Sequence, residues 1–210
     1  NLSLREFQVP QYFSRDLLQQ TASIQLNLED FLSSRLDLRS LYTVSIDDKE
    51  TTDIDDAISW EMQEERIQLG IHIADVAQFV PFKSLIDQEA IKRFTSIYLP
   101  ERKIEMLPAH LAQHLCSLVA HEPRLALSVL ITLNLNYQVL SFELKETLIQ
   151  VKQKLSYNEV NGLIKTNPVF QDMMKLSHYL QQKRLEQGAF HFEEPELRIK
   201  VTEDKRILLK

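Results

Sequence analysis

The sequence predicts a mixed domain of strands and helices, α/β or α+β, and three observations carry that expectation. Stretches that alternate apolar and polar residues, and stretches with apolar residues at helical spacing, both cluster along the chain. The 210 residues are 44% hydrophobic, enough for one large core. Only three glycines occur, and there is no repeat, low-complexity tract or Gly/Ser linker to divide the chain. The division expected is a helical lead-in over residues 1–40 and one main body over residues 41–210.

In the lead-in, Ser14 ahead of "RDLLQQTASI" reads as a helix start, and Asn27 as the N-cap of "LEDFLSS", with Asp30 three residues on. "LYTVSI" is β-branched and apolar, a strand running straight into Asp47. "DDAISWEM" and "RIQLGIHIADV" alternate and predict a hairpin turning near Glu64 and Glu65. "SLIDQEAIKRF" carries Leu85, Ile86, Ala90, Ile91 and Phe94 on one helical face. Pro100 fixes an extended segment after Tyr98, and Pro108 opens a helix in "PAHLAQHLCSL". "RLALSVLITLNL" and "QVLSFELKETLIQVKQKL", joined through "NY", read as a long hairpin. Ser156 and Glu159 form a capping box, Gly188 ends the helix "PVFQDMMKLSHYLQQKRLEQ", and a last hairpin turns at Glu203 and Asp204.

Composition excludes several classes. No apolar run approaches the roughly 20 residues that cross a bilayer. The start, "NLSLREFQVPQYF", has no basic segment followed by an apolar one, so it is not a signal peptide, and without an initiator Met the chain is read as a piece of something longer. A cytoplasmic location is expected, with an organelle such as a plastid as the alternative. Cys116 is the single cysteine, so no internal disulfide framework exists; it reads as a buried small apolar residue, not a nucleophile. Three glycines cannot build a Gly-rich phosphate loop, and the histidines lack zinc-ligand spacing.

The formal net charge is −6, and it is unevenly spread. Residues 1–60 hold five Arg/Lys against eleven Asp/Glu, whereas residues 61–210 hold nineteen of each. The excess centres on "SIDDKETTDIDDAISW", where five aspartates and one glutamate crowd residues 47–56 against Lys49 alone. Such charges repel by about 1 kcal/mol per pair in water and by more where water is excluded. A bound divalent cation would offset them; a solvated loop is the alternative. Asp47 ends a strand, and Asp53 and Asp55 point the same way if their segment is extended, with Asp56 facing elsewhere. Hard carboxylate oxygens in that arrangement suit Mg²⁺ or Mn²⁺ and phosphoryl-transfer chemistry. An EF-hand loop starting at Asp47 fails, because Lys49 and Thr52 fall at its third and sixth positions. A phosphatase-type nucleophile fails too, because Glu50-Thr51-Thr52 precede Asp53 where an apolar strand is needed.

The neighbours of that loop carry a resemblance. "TVSIDDKETTDIDDAIS", "LGIHIADVAQFV", "TSIYLPERKIEMLPAHLAQHLCSL", "RLALSVLIT" and "KLSYNEV" follow in this order. Together they resemble the catalytic domain of the ribonuclease II and ribonuclease R family of 3′-to-5′ exoribonucleases, over about three quarters of the chain, from "RLDLR" to "RLEQGAFHFEEPE". The resemblance implies a β-sheet or barrel-like core with surrounding helices, with residues 41–210 forming the N-terminal portion of that catalytic domain. It implies that Asp47, Asp53, Asp55 and Asp56 hold Mg²⁺, with Mn²⁺ as the alternative ion, and that Asp55 is the residue most critical for chemistry. The activity implied is hydrolysis of single-stranded RNA to 5′-nucleoside monophosphates, in RNA decay and processing. A family relative that binds RNA without cutting it is the alternative.

Two aromatics match RNA-binding positions of the family. Tyr98 would pack on the 3′-terminal nucleotide, and Phe192 would clamp bases; core packing is the competing role for each. His72 and Asp75 are expected to form a hydrogen-bonded structural pair. The resemblance also places a glutamate-bearing helix and an arginine-rich phosphate grip beyond residue 210, so the chain alone is expected to have little activity. No obligate protein partner and no membrane contact are expected.

Overall fold

A computed structural model describes residues 2–99, 102–190, 192, 199–201 and 207–209. Its centre is a closed β-barrel. In chain order the strands are β1 (Leu36–Asp37), β2 (Thr43–Ile46), β3 (Asp56–Gln63), β4 (Arg66–Ala74), β5 (Ile97–Tyr98), β6 (Lys103–Ile104), β7 (Pro123–Asn134) and β8 (Val139–Leu155). β2, β3, β4, β7 and β8 pair in that order with antiparallel neighbours, and β8 then returns to β2 in parallel, closing the ring. β1 adds to β8 in parallel, with Leu36 opposite Thr147. The first two expected hairpins, β3–β4 and β7–β8, are present. The first turns through Glu64 and Glu65 with Gln63 opposite Arg66, and Glu64 takes the positive φ of 49° that a two-residue turn demands.

The helices are α1 (Leu2–Glu6), α2 (Arg15–Ala22), α3 (Leu85–Arg93), α4 (Tyr157–Leu163) and α5 (Pro168–Glu186). Ser14 caps α2, Ser156 and Glu159 close their capping box on α4, and Gly188 at φ 93° follows α5. α5 lays Phe170 and Leu176 on the outer face of the barrel, against Trp60, Ile67, Leu69 and Val44. α2 and α3 contribute Leu17 and Ile86 to a second core with Leu107, Leu111 and Leu125.

Some expectations are corrected. Asn27 precedes a single 3₁₀ turn, Leu28–Asp30, and its side chain makes no capping bond. The segment after Pro108 is a π-type turn, His110–Leu115. Only Ile86 of the expected apolar face of α3 is buried; Leu85, Ile91 and Phe94 are exposed. The last hairpin exists as β9 (Ile199–Val201) against β10 (Ile207–Leu209), with its turn outside the described residues, as is Pro100.

His72 and Asp75 do not bond to each other. Asp75 accepts from the buried Arg35 guanidinium at 2.5 Å. His72 points into the barrel, because successive strand residues alternate faces and Ala74 and Gly70 share its side. There a polar ladder crosses four strands, β3, β4, β7 and β8. Ser59 Oγ lies 3.0 Å from His72 Nε2, His72 Nδ1 lies 2.7 Å from Ser128 Oγ, and Ser128 Oγ lies 2.6 Å from Thr147 Oγ1. Thr147 donates onward to the Ala126 carbonyl at 3.2 Å. Every donor then finds an acceptor if the ring is neutral with its proton on Nδ1.

Burial holds His72 neutral, with its pKa lowered to about 4 from 6.5. The unfolded chain therefore takes up a proton that the folded chain refuses. This contribution to stability is full above pH 6.5 and is lost as pH falls toward 4, up to about 3 kcal/mol. Urea denaturation across that window, compared with His72→Gln, is expected to show the steeper acid loss in the unsubstituted chain. Equal slopes would contradict it.

The barrel's outer wall is not covered throughout. Ile71, Ile73, Leu127, Phe142 and Leu144 are exposed, and the register places Ile71 beside Val129 and Val129 beside Leu144. Among the described residues no helix is long and apolar enough to cross a membrane.

Candidate active site

The acidic loop spans the gap between β2 and β3, and the barrel clamps it from several sides. The Asp47 amide donates to the Leu155 carbonyl at the end of β8, at 3.0 Å. The Lys154 ammonium donates to the carbonyls of Thr51 and Lys49. At the centre Ile54 is buried in the core with Ala57, Leu118 and Ile149. Its amide donates to Ser117 Oγ at 2.9 Å, its carbonyl accepts from the Leu118 amide at 2.8 Å, and Ser117 Oγ donates to the Thr52 carbonyl at 3.0 Å. The Asp55 carbonyl accepts from the Ala74 amide at 2.9 Å. With Ile54 turned inward, its neighbours Asp53 and Asp55 turn outward together.

Both line one cavity of about 520 Å³, shared with Tyr98, Phe94, Ile73 and Cys116. Tyr98 is 70% exposed, so it is not a core aromatic. Its hydroxyl donates to Asp53 Oδ2 at 3.1 Å. Lys103, opposite Tyr98 across the β5–β6 hairpin, donates to the same oxygen, with its ammonium 5.0 Å from the Tyr98 ring centroid. Cys116 is buried and free, and burial pushes its thiol up to about 12, which removes it as a nucleophile at neutral pH.

The carboxylates sense one another. Burial raises the Asp47 carboxyl, and repulsion from Asp56, Asp55 and Asp53 adds to it against Lys154. Burial likewise raises Asp55, with repulsion from Asp53 and Asp56. Burial would raise Asp53 too, but hydrogen bonds and attraction from Lys103, with the Tyr98 hydroxyl, outweigh it and hold Asp53 below the ordinary carboxylate range.

The structure thus brings Asp53, Asp55 and Tyr98 to one cavity and leaves Asp47 and Asp56 beside it, within electrostatic reach. Phe192 is exposed, and it does not line the cavity among the described residues. Among those residues no three His, Cys, Asp or Glu side chains converge as a ready ligand set, and Asp53 is turned toward Lys103 and Tyr98. The donors nonetheless fit a hard divalent ion in their chemistry: partly buried oxygens whose mutual repulsion is incompletely neutralised.

A family model described as an RNB domain matches residues 35–210. The chain belongs to the RNB domain family. Ribonuclease R of Mycoplasmopsis pulmonis is 36% identical to this RNB chain over 196 residues, 89% of the chain and 27% of that protein. Ribonuclease R of Mycoplasma genitalium, solved in complex with ribose-methylated single-stranded RNA, matches with a TM-score of 0.88 at 26% identity, over 98% of this chain and 34% of that one. Yeast Ssd1, described as a pseudonuclease, shares the fold with a TM-score of 0.70 at 20% identity, over 78% of this chain and 21% of that one. The RNB chain therefore spans roughly a quarter of the curated relative's length. The resemblance to ribonuclease II and ribonuclease R, and the mixed fold with a barrel core, are both borne out.

Sequence reasoning missed Lys103, Ser117 and Lys154 as parts of the RNB site. For Lys103 a signal existed: "IYLPERKI" carries two short extended pieces, and their pairing places residue 103 opposite Tyr98. Ser117 and Lys154 arrive from separate elements and carried none.

Proposed function

We propose that this chain supplies the metal end of the active site of a 3′-to-5′ exoribonuclease, which hydrolyses single-stranded RNA to 5′-nucleoside monophosphates with Mg²⁺ or Mn²⁺. The observation that carries the reading is one cavity holding Asp53 and Asp55 beside an exposed, oriented Tyr98. Asp47, Asp53, Asp55 and Asp56 would hold the ion. A divalent ion bound there supplies charge stabilisation to the phosphodiester and acidifies a water.

The chain's own residues do the rest. Lys103 keeps Asp53 ionised. Ser117 and Ile54 fix the backbone, so that Asp53 and Asp55 share a direction. The Tyr98 hydroxyl steadies Asp53 while its exposed ring offers a face to the terminal nucleotide. Ile73 and Met106 give the cavity an apolar stretch of wall.

The test is full-length parent protein on 5′-labelled single-stranded RNA, with Mg²⁺ and then with chelator. Stepwise shortening from the 3′ end that stops on chelation and returns with Mg²⁺ is expected. RNA binding without shortening would favour the non-cutting alternative, and cleavage indifferent to chelator would overturn the metal role.

A further inference from the structure

We propose that Phe94 is a second stacking platform for a nucleobase of the RNA strand, beside Tyr98; this rests on the function proposed above. Phe94 follows the last residue of α3 at φ 66° and ψ −35°, a backbone state that is costly for any residue with a Cβ and natural to glycine. Its side chain gains nothing from burial in exchange, because it is 86% exposed. A large apolar ring in strained backbone, facing water, makes no contribution to the fold that glycine would not improve upon.

The backbone that carries the ring is nevertheless held in place. Arg93 before it is buried, and its guanidinium donates to the carbonyls of Tyr12 at 2.8 Å, Pro10 at 3.0 Å and Glu105 at 3.2 Å while stacking 3.7 Å from the Phe13 ring centroid. The Phe94 amide donates to the Ala90 carbonyl at 2.8 Å. Two residues later Ser96 Oγ accepts from the Met106 amide at 3.0 Å. The segment is clamped on both sides, and its one free feature is the aromatic ring.

That ring lines the same cavity as Asp53, Asp55 and Tyr98. A strand whose terminal phosphodiester lies at the aspartates has its bases within this cavity's reach. Stacking on an aromatic tolerates any base, which suits a strand with no fixed sequence. Phe94 acts on binding and register, not on the chemical step.

The test uses full-length parent protein carrying Asp55→Asn, with a short fluorescein-labelled oligoadenylate read by anisotropy, and the otherwise unsubstituted protein for cleavage. Phe94→Gly is expected to raise the melting temperature, because backbone strain is relieved, while weakening RNA binding roughly tenfold. In cleavage it should raise KM with little change in kcat, and Phe94→Trp should restore affinity. Unchanged affinity in Phe94→Gly, or a fall in melting temperature that accounts for the lost binding, would overturn the proposal. Those results with a parent that still degrades RNA reject Phe94 alone; a parent that neither binds nor degrades RNA rejects the functional reading itself.

Discussion

Asp55→Asn in the full-length parent is expected to slow RNA shortening by at least about a thousandfold while leaving RNA binding in place. A metal centre contributes several kcal/mol of charge stabilisation to such a transition state, and each 1.36 kcal/mol is a factor of ten. Asparagine keeps the shape of the side chain and removes the charge that the proposed ion would need. The substitution should not unfold the protein. The Asp55 carboxyl already suffers burial and repulsion from Asp53 and Asp56, so a neutral amide relieves strain at that position. The backbone bond from the Ala74 amide to the Asp55 carbonyl does not involve the side chain. Single-turnover shortening of labelled RNA, with a thermal melt of the same sample, checks both halves. A rate within tenfold of the unsubstituted protein would remove Asp55 from the chemistry, and a melt well below it would make the loss uninterpretable as catalysis.

The second large effect lies in the barrel interior. A methyl group at Gly70 would sit 2.3 Å from Ser59 Oγ and 2.7 Å from His72 Nε2, closer than any real contact. Neither group can move freely, because the two are bonded to each other and His72 is bonded on to Ser128. Gly70→Ala must therefore overpack the site and break the ladder. Overpacking costs about 1–3 kcal/mol, and a buried polar group left without a partner costs a similar amount. A loss of about 3–4 kcal/mol is expected, a large share of a typical domain's stability. Urea denaturation measures it. Ser59→Ala combined with Gly70→Ala should cost less than the two changes added separately, because one clash is removed; simple additivity would mean the ladder is not the cause.

The strands were readable because their period of two is local. "DDAISWEM", "RIQLGIHIADV" and the long β7–β8 pair each declare a face and a turn within a few residues. Closure of the ring was not readable that way, since β2 meets β8 across roughly a hundred residues of chain; the barrel-like expectation came from the family resemblance. At the site, the alternation that turned Asp53 and Asp55 the same way needed only Ile54 between them. Lys103 and Phe94 were harder for different reasons. Lys103 reaches Asp53 through a hairpin of its own, and Phe94 kept a helical spacing that looked apolar and buried although α3 ends before it. His72 and Asp75 lie close in sequence yet face different partners, because the strand ends between them.

The parallel pairing of β2 with β8 also dictates the order in which the molecule can be made. Asp47 is anchored by the carbonyl of Leu155, and the loop carbonyls of Lys49 and Thr51 wait for Lys154. Both anchors, Lys154 and Leu155, leave the ribosome roughly a hundred residues after the aspartates do. Until then the stretch is framed only on its C-terminal side, by Ala74, Ser117 and Leu118. Contacts between such distant segments form late and slowly. The acidic stretch of a nascent chain therefore gains its full frame only once the last strand of the barrel has closed on it.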